Sequence, residues 1–508
     1  MRIHRWYKKK KKNDNQQKDN INPEVDDSLE SLIKQMKVSN DFIYFKNDQS
    51  PQPIHLYYFM SLVDSEIIHR DILPYLNRES LTSLQKLKQE LPIENIEITS
   101  DVNKIEQKVL RGSIIIQLDK SSTEVALIRA ELNKAREVSL PEVEFSVVGP
   151  KESFVESLDT NLNLIRKRLP IPELQIAEYS VGKLSKTRVA VVSIEGITNE
   201  ENVNTVKQRI QAIEFDTIND SSYIVQLITD NKNSPFPQLI DTERPDRIAS
   251  VLAEGKVAIL VDGAPHGILG PTTFIEFFSA FEDYFLNWIT ASFFRLIRLF
   301  AVIFSILITP IYVAVLTYHY ELIPKDLVSI LVISRREIPL PPILEAIFLE
   351  IAIELLREAG ARLPTKVGQT IGIVGGIVIG TASVEAGLTS NVLLIIVALA
   401  ALASFTTPVY KMGNTIRLIR FPFLIFAHFW GLLGVAICFC FTITHLLKLT
   451  SLGRPFLEPI FPPRISDLKD AVIRLPFNFQ AKRPIQLQTE DTMRFKQNKA
   501  KDKREIDE

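Results

Sequence analysis

The chain has 508 residues, more than one compact domain usually holds, so two or more structural units are expected. Its 59 Lys and Arg against 60 Asp and Glu leave a net charge of -1, which averages a basic start, a mixed middle and a basic tail and so says little about partners. The two cysteines, Cys438 and Cys440, lie together in an apolar run, which excludes a disulfide framework or a tetrahedral metal site built from them.

In chain order, residues 1–30 form a polar leader rich in Arg2, Arg5 and Lys8 to Lys12, with no apolar core behind it. It is therefore not a secretory signal peptide. A solvated tail and a segment drawn to an anionic inner leaflet both place the N-terminus in the cytoplasm.

From residue 31 to residue 290, short β-rich runs alternate with helical patterns, as in an α/β protein. The expected strands are Ile54 to Val63, Ser113 to Leu118, Val143 to Val148, Thr187 to Glu195, Tyr223 to Ile228 and Lys256 to Asp262. Helical spacing covers Glu152 to Arg168 and Glu200 to Ile213, with a break at Pro170 and Pro172. Two lobes are expected, 31–148 and 149–290. Gly149 to Ser153 lacks the spacing of a phosphate-binding loop, and His55, His69 and His266 are scattered without metal-ligand spacing. No enzyme site, cofactor, metal or nucleic-acid partner is expected.

Residues 291–450 are dominated by Leu, Ile, Val, Ala, Phe and Gly. Leu299 to Leu316 is uncharged and long enough to cross a bilayer; Arg295 and Arg298 before it would hold its start in the cytoplasm, and Pro310 marks a kink. Leu327 to Ile333 is too short to cross. Pro342 to Gly360 crosses if it tolerates Glu345, Glu350 and Glu354; Glu350, Glu354 and Glu358 share one face, with Glu345 on the far side. These acids either pair with arginines such as Arg357 or attract cations in or near a pore.

Val367 to Ala386 carries Gly368, Gly372, Gly376 and Gly380 at a four-residue period, which suits close helix packing. A sharper reading turns Gln369, Thr370, Thr381 and Ser383 towards a conduction path, with Val378 on the helix face whose width would set conduction. Asn391 to Val409 is a fourth span, followed by the cytoplasm-suited charges Lys411, Arg417 and Arg420. Phe421 to Leu447 is long for one span and short for two, which leaves the side of the polar tail, 451–508, open between outside and cytoplasm, with the cytoplasm favoured. The expected class is thus an α/β two-lobed soluble N-terminal region followed by an all-α polytopic transmembrane bundle of about five spans.

Several stretches resemble one family, the A subunits of GerA-type spore germinant receptors. They include Gly149-Pro150-Lys151-Glu152, Thr242-Glu243-Arg244-Pro245-Asp246, Pro271-Thr272-Thr273-Phe274, Arg357-Glu358-Ala359-Gly360, Val384-Glu385-Ala386-Gly387 and Arg420-Phe421-Pro422. The resemblance runs in order over roughly residues 40 to 465. It implies a multi-pass subunit of the spore inner membrane that works with a transporter-like B subunit and a lipoprotein C subunit. It also implies a homo-oligomer in contact with membrane lipids that conducts monovalent cations; the competing class is a non-conducting scaffold or signalling subunit.

Overall fold

The computed structural model describes residues 28–47, 53–76, 83–93, 96–120, 122–132, 144, 148–363 and 365–495, with backbone alone at 365–367, 369–371, 374, 379, 465, 466 and 469. The leader up to residue 27, all of the expected strand Val143 to Val148 but Glu144 and Val148, and the last residues of the tail lie outside that set. The chain divides into two compact units, one from 1–133 with 169–175 and one from 134–168 with 176–508.

In the first unit five strands form one antiparallel sheet: β1 (Phe42–Asn47), β2 (Ile54–Phe59), β3 (Glu97–Thr99), β4 (Ser113–Gln117) and β5 (Val125–Arg129), in the order β1-β2-β4-β5-β3. Alternate side chains of a strand face opposite sides, and both sides are covered here. Ile54, Leu56, Ile114 and Ile116 enter one core, while Tyr57, Phe59 and Ile115 enter another with helices α1 (Leu29–Met36) and α2 (Val102–Val109). That double covering explains the unbroken Ile114-Ile115-Ile116 run.

The second unit holds β6 (Leu174–Val181), β7 (Thr187–Ile194), β8 (Ile240–Thr242), β9 (Val257–Val261) and β10 (Gly267–Gly270), in the order β6-β7-β9-β10-β8. Helices α3 (Leu158–Arg168), α4 (Glu200–Gln211), α5 (Ser221–Ile228) and α6 (Pro245–Glu254) cover it. The expected strand at Tyr223 to Ile228 is instead helix α5. Asp220 accepts a hydrogen bond from the Ser222 amide at 2.9 Å and caps its start, while Ile224 and Ile228, one turn apart, bury on the sheet. The expected helix from Glu152 begins only at Leu158, whose amide is capped by Asp262 at 3.1 Å.

Six further helices follow in the same unit: α7 (Trp288–Tyr318), α8 (Lys325–Arg335), α9 (Pro342–Arg362), α10 (Thr365–Glu385), α11 (Asn391–Ser404) and α12 (Tyr410–Lys448). Among the described residues, two of them, α7 and α12, are by length and composition long and apolar enough to cross a membrane. The expected span from Asn391 ends as a helix at Ser404; its 14 residues reach about 21 Å, short of the ~30 Å of a bilayer core.

Helix α12 folds back on itself. Gly431 sits at φ 59°, ψ -141°, a conformation that only glycine adopts readily, and a Cβ on Gly434 would collide with the Phe426 carbonyl. Near its start, Thr415 donates to the Pro235 carbonyl at 2.5 Å; near its end, His445 bonds Ser234 at 2.8 Å. Two residues thirty positions apart therefore meet one loop, and 410–430 and 432–448 are the two arms of a hairpin. The ambiguous Phe421 to Leu447 run is the second half of the first arm, the turn at Gly431 and nearly all of the second arm.

The chain then returns to the sheet. Leu452 joins the core of the second unit, Ser451 donates to the Gln238 carbonyl at 2.6 Å, and the Phe274 amide bonds the Phe456 carbonyl at 2.8 Å. Residues 451–495 thus pack on the same lobe from which α7 departs. Both ends of the helical part therefore meet one body.

Candidate functional site

At the base of α7, Asn287 caps the first turn by accepting the Ile289 amide at 3.0 Å. Arg295 and Arg298 do not lie free at a membrane surface: Arg295 Nε donates to Asp283 at 3.0 Å, and Arg298 binds the same carboxylate with both guanidinium nitrogens at 2.8 and 2.6 Å. Asp283 is wholly buried. Arg474 of the C-terminal segment completes the joint by donating to the Leu286 and Tyr284 carbonyls at 2.6 and 3.1 Å. Beside it, burial and the adjacent Asp470 carboxylate push the Tyr284 hydroxyl well above its usual range.

The acid helix α9 is paired along its length. Glu350 meets Arg420 of α12 and accepts Thr309 Oγ1 of α7 at 3.1 Å. Arg420 also donates to Ser305 Oγ at 2.6 Å and to the Ala400 carbonyl of α11 at 3.3 Å, so one guanidinium ties four helices. Glu350 and Arg420 are each 2% exposed. One turn on, Glu354 binds Arg357 of its own helix at 3.0 Å and Arg417 of α12 at 3.3 Å, while Arg357 lies over the Phe405 ring at 4.8 Å. Glu345, on the far side, is equally buried; it meets Arg335 at 2.8 Å and accepts the Ser390 amide at 3.3 Å. Glu358 pairs with Arg362 in the open.

Arg417 and Arg420 are therefore helix residues that neutralise acids, where the sequence suggested a charged cytoplasmic loop. Ser305 and Thr309, one turn apart in the uncharged stretch Leu299 to Leu316, mark the face that receives a charged group.

The glycine helix α10 lies antiparallel to α9. A Cβ on Gly368 would stand 2.8 Å from the Gly360 carbonyl oxygen, one on Gly375 would press on Leu356, and one on Gly380 would meet Leu394 at 3.7 Å. Between these closed ends, Gly372 and Gly376 face open space. Val378 is exposed, as is Thr381, whose hydroxyl donates back to the Ile377 carbonyl at 2.7 Å, whereas Ser383 is buried in the chain. The side chains of Gln369 and Thr370 lie outside the described residues.

An α/β lobe is joined here to a helical part that includes two long apolar helices and whose acids are paired internally, an arrangement that suits a membrane-associated subunit. The family model described as the Bacillus/Clostridium GerA spore germination protein matches residues 29–486, and the chain belongs to that family, the A subunits of spore germinant receptors. It is 53% identical to spore germination protein GerQA of Bacillus cereus, over 92% of this chain and 94% of that protein. It is 48% identical to GerIA of Bacillus cereus, over 90% of this chain and 69% of that protein, and 35% identical to spore germination protein KA of Bacillus subtilis, over 93% and 86%. Among solved structures, the N-terminal domain of the A subunit of the Bacillus megaterium germinant receptor GerK3 aligns with 49% of this chain and 97% of that domain, at 25% identity and a TM-score of 0.36.

Proposed function

We propose that the chain acts in nutrient-triggered germination as an oligomeric, ligand-gated cation channel in the inner membrane of the spore, alongside transporter-like B and lipoprotein C subunits. The observation that carries this reading is the open middle of α10. Gly372 and Gly376 offer bare backbone beside the exposed Ile373 and Ile377, which is the surface that close packing of one copy on the next would cover, while the exposed Val378 lies on another face. Val378 and Thr381, with Gln369 and Thr370 on the same helix, then lie nearest the path the ions take, and Ser383 lies behind it. Glu350 and Glu354 serve this site as ties that hold the neighbouring helix.

A second reading, a non-conducting scaffold that binds germinant or partner subunits, is favoured by the pairing of Glu345, Glu350 and Glu354 with arginines of the same chain, which leaves those acids without free charge for a cation path. Reconstituting the purified oligomer in liposomes and measuring potassium flux separates the two. Flux that Val378→Ala alters supports conduction; liposomes that hold potassium as tightly as protein-free ones sink it.

A further inference from the structure

We infer that the first three turns of α12 transmit movement of the α/β lobe to the acid and glycine helices. On one side of this helix, Lys411 pairs with Asp241 of β8 at 2.9 Å and Thr415 donates to the Pro235 carbonyl at 2.5 Å. Both partners lie on the lobe segment that leads into and forms β8. At about 100° per residue, positions 411 and 415 share a face, while 417 and 420 fall roughly half a turn round. From that opposite face, Arg417 reaches Glu354 at 3.3 Å and Arg420 reaches Glu350.

One rigid element therefore grips the lobe with one side and α9 with the other. Its two grips on α9 are a turn apart, so rotation of the helix cannot be absorbed by a single swivelling side chain. Helix α9 in turn closes on α10 where Gly360 meets Gly368 and Leu356 meets Gly375. Displacement of the 235–241 segment thus passes through α12 and α9 to the glycine helix by contacts of two or three groups at every step. The second arm of the hairpin adds a return contact to the same segment, with His445 bonded to Ser234 and stacked on Phe236 at 5.9 Å.

The inference rests on the conduction reading only for its output. It is tested at the lobe end, where the pair is partly exposed, at 37% for Lys411 and 22% for Asp241, and can be broken without opening a core. Spores carrying this receptor as their single germinant receptor, with the full chain as wild type, Lys411→Glu, Asp241→Lys or both changes, are exposed to a dilution series of rich nutrient broth. Receptor amount is matched by immunoblot. Each single change should shift the half-maximal broth concentration by about 5-fold or more, the low end of coupling between distant sites, and the exchanged pair should bring the curve back.

Single variants that superimpose on wild type at equal receptor amount overturn the inference, as does an exchanged pair no better than its parents. Potassium flux from liposomes is measured on the same four proteins. If the response curves shift and recover while none of the four conducts, the channel reading falls and transmission stands.

Discussion

Arg420 and Glu350 meet in the interior of the helical part, each 2% exposed, with Ser305 and Thr309 filling the hydrogen-bonding positions around them. Removing one partner strands the other as a buried charge. Arg420→Ala or Glu350→Ala should cost about 3–5 kcal/mol, while the pair changed together to Met and Leu should cost less than either alone. Melting temperatures in detergent for the two single variants and the double one give the comparison, and additive losses would contradict this account.

The glycines of α10 separate into two groups. Gly368→Ala forces a Cβ towards the Gly360 carbonyl and should loosen the α9–α10 hairpin within one chain, lowering the amount of folded protein. Gly376→Leu meets nothing in its own chain, so the protomer should fold normally and fail to associate. Mass photometry of the purified proteins distinguishes these, and an oligomer formed as readily by Gly376→Leu as by wild type would remove α10 from the interface.

Glu354 is paired with Arg357 and Arg417 of the same chain. If the chain conducts as proposed, Glu354→Gln should leave unitary conductance unchanged and alter the broth concentration needed for opening. A fall in unitary conductance at constant threshold would return this carboxylate to the ion path.

Gly431→Ala places a side chain where φ is 59° and where a Cβ would stand 2.8 Å from His319 Nε2. The turn between the arms should open and loosen the backbone around Phe429 and Trp430. Limited proteolysis in detergent would show new cleavage near residue 430; an unchanged digestion pattern would argue against the fold-back.

In the first unit, hydrogen bonds from Lys104 and Lys108 hold the Glu97 carboxyl well below its usual range, at about 2. A depressed carboxylate contributes stability above its unfolded pKa and loses it as pH falls through the folded one. The melting-temperature gap between wild type and Glu97→Gln should thus be constant at neutral pH and close between about pH 4.3 and pH 2. A gap that widens on acidification would reverse the sign.

What the sequence disclosed and what it withheld follow from local and non-local causes. Ile114 to Ile116 read as a strand because a doubly covered strand is apolar on both faces. Tyr223 to Ile228 has the composition of a strand, and the decision against it came from Asp220, a capping residue outside the run. The length of Phe421 to Leu447 was ambiguous because a reversal at Gly431 is a matter of backbone angle, invisible in hydropathy. Glu350 and Glu354 were legible as unusual, and pairing with Arg357 was among their expected fates. Their partners Arg417 and Arg420 lie more than sixty positions away, and charge counting filed them with a loop. Family membership was legible from ordered motifs in both halves.

The return of residues 451–495 to the sheet has a consequence for biosynthesis. The lobe from which α7 departs is completed by Leu452 and Phe456, which are synthesised roughly 180 residues after Pro271. At about 5–20 residues per second, the unfinished sheet waits roughly ten to forty seconds for its last core side chains, while the intervening helices are made. The core of the lobe therefore stays open until the whole helical part has been made, so a chain cut short anywhere before Leu452 lacks a finished lobe.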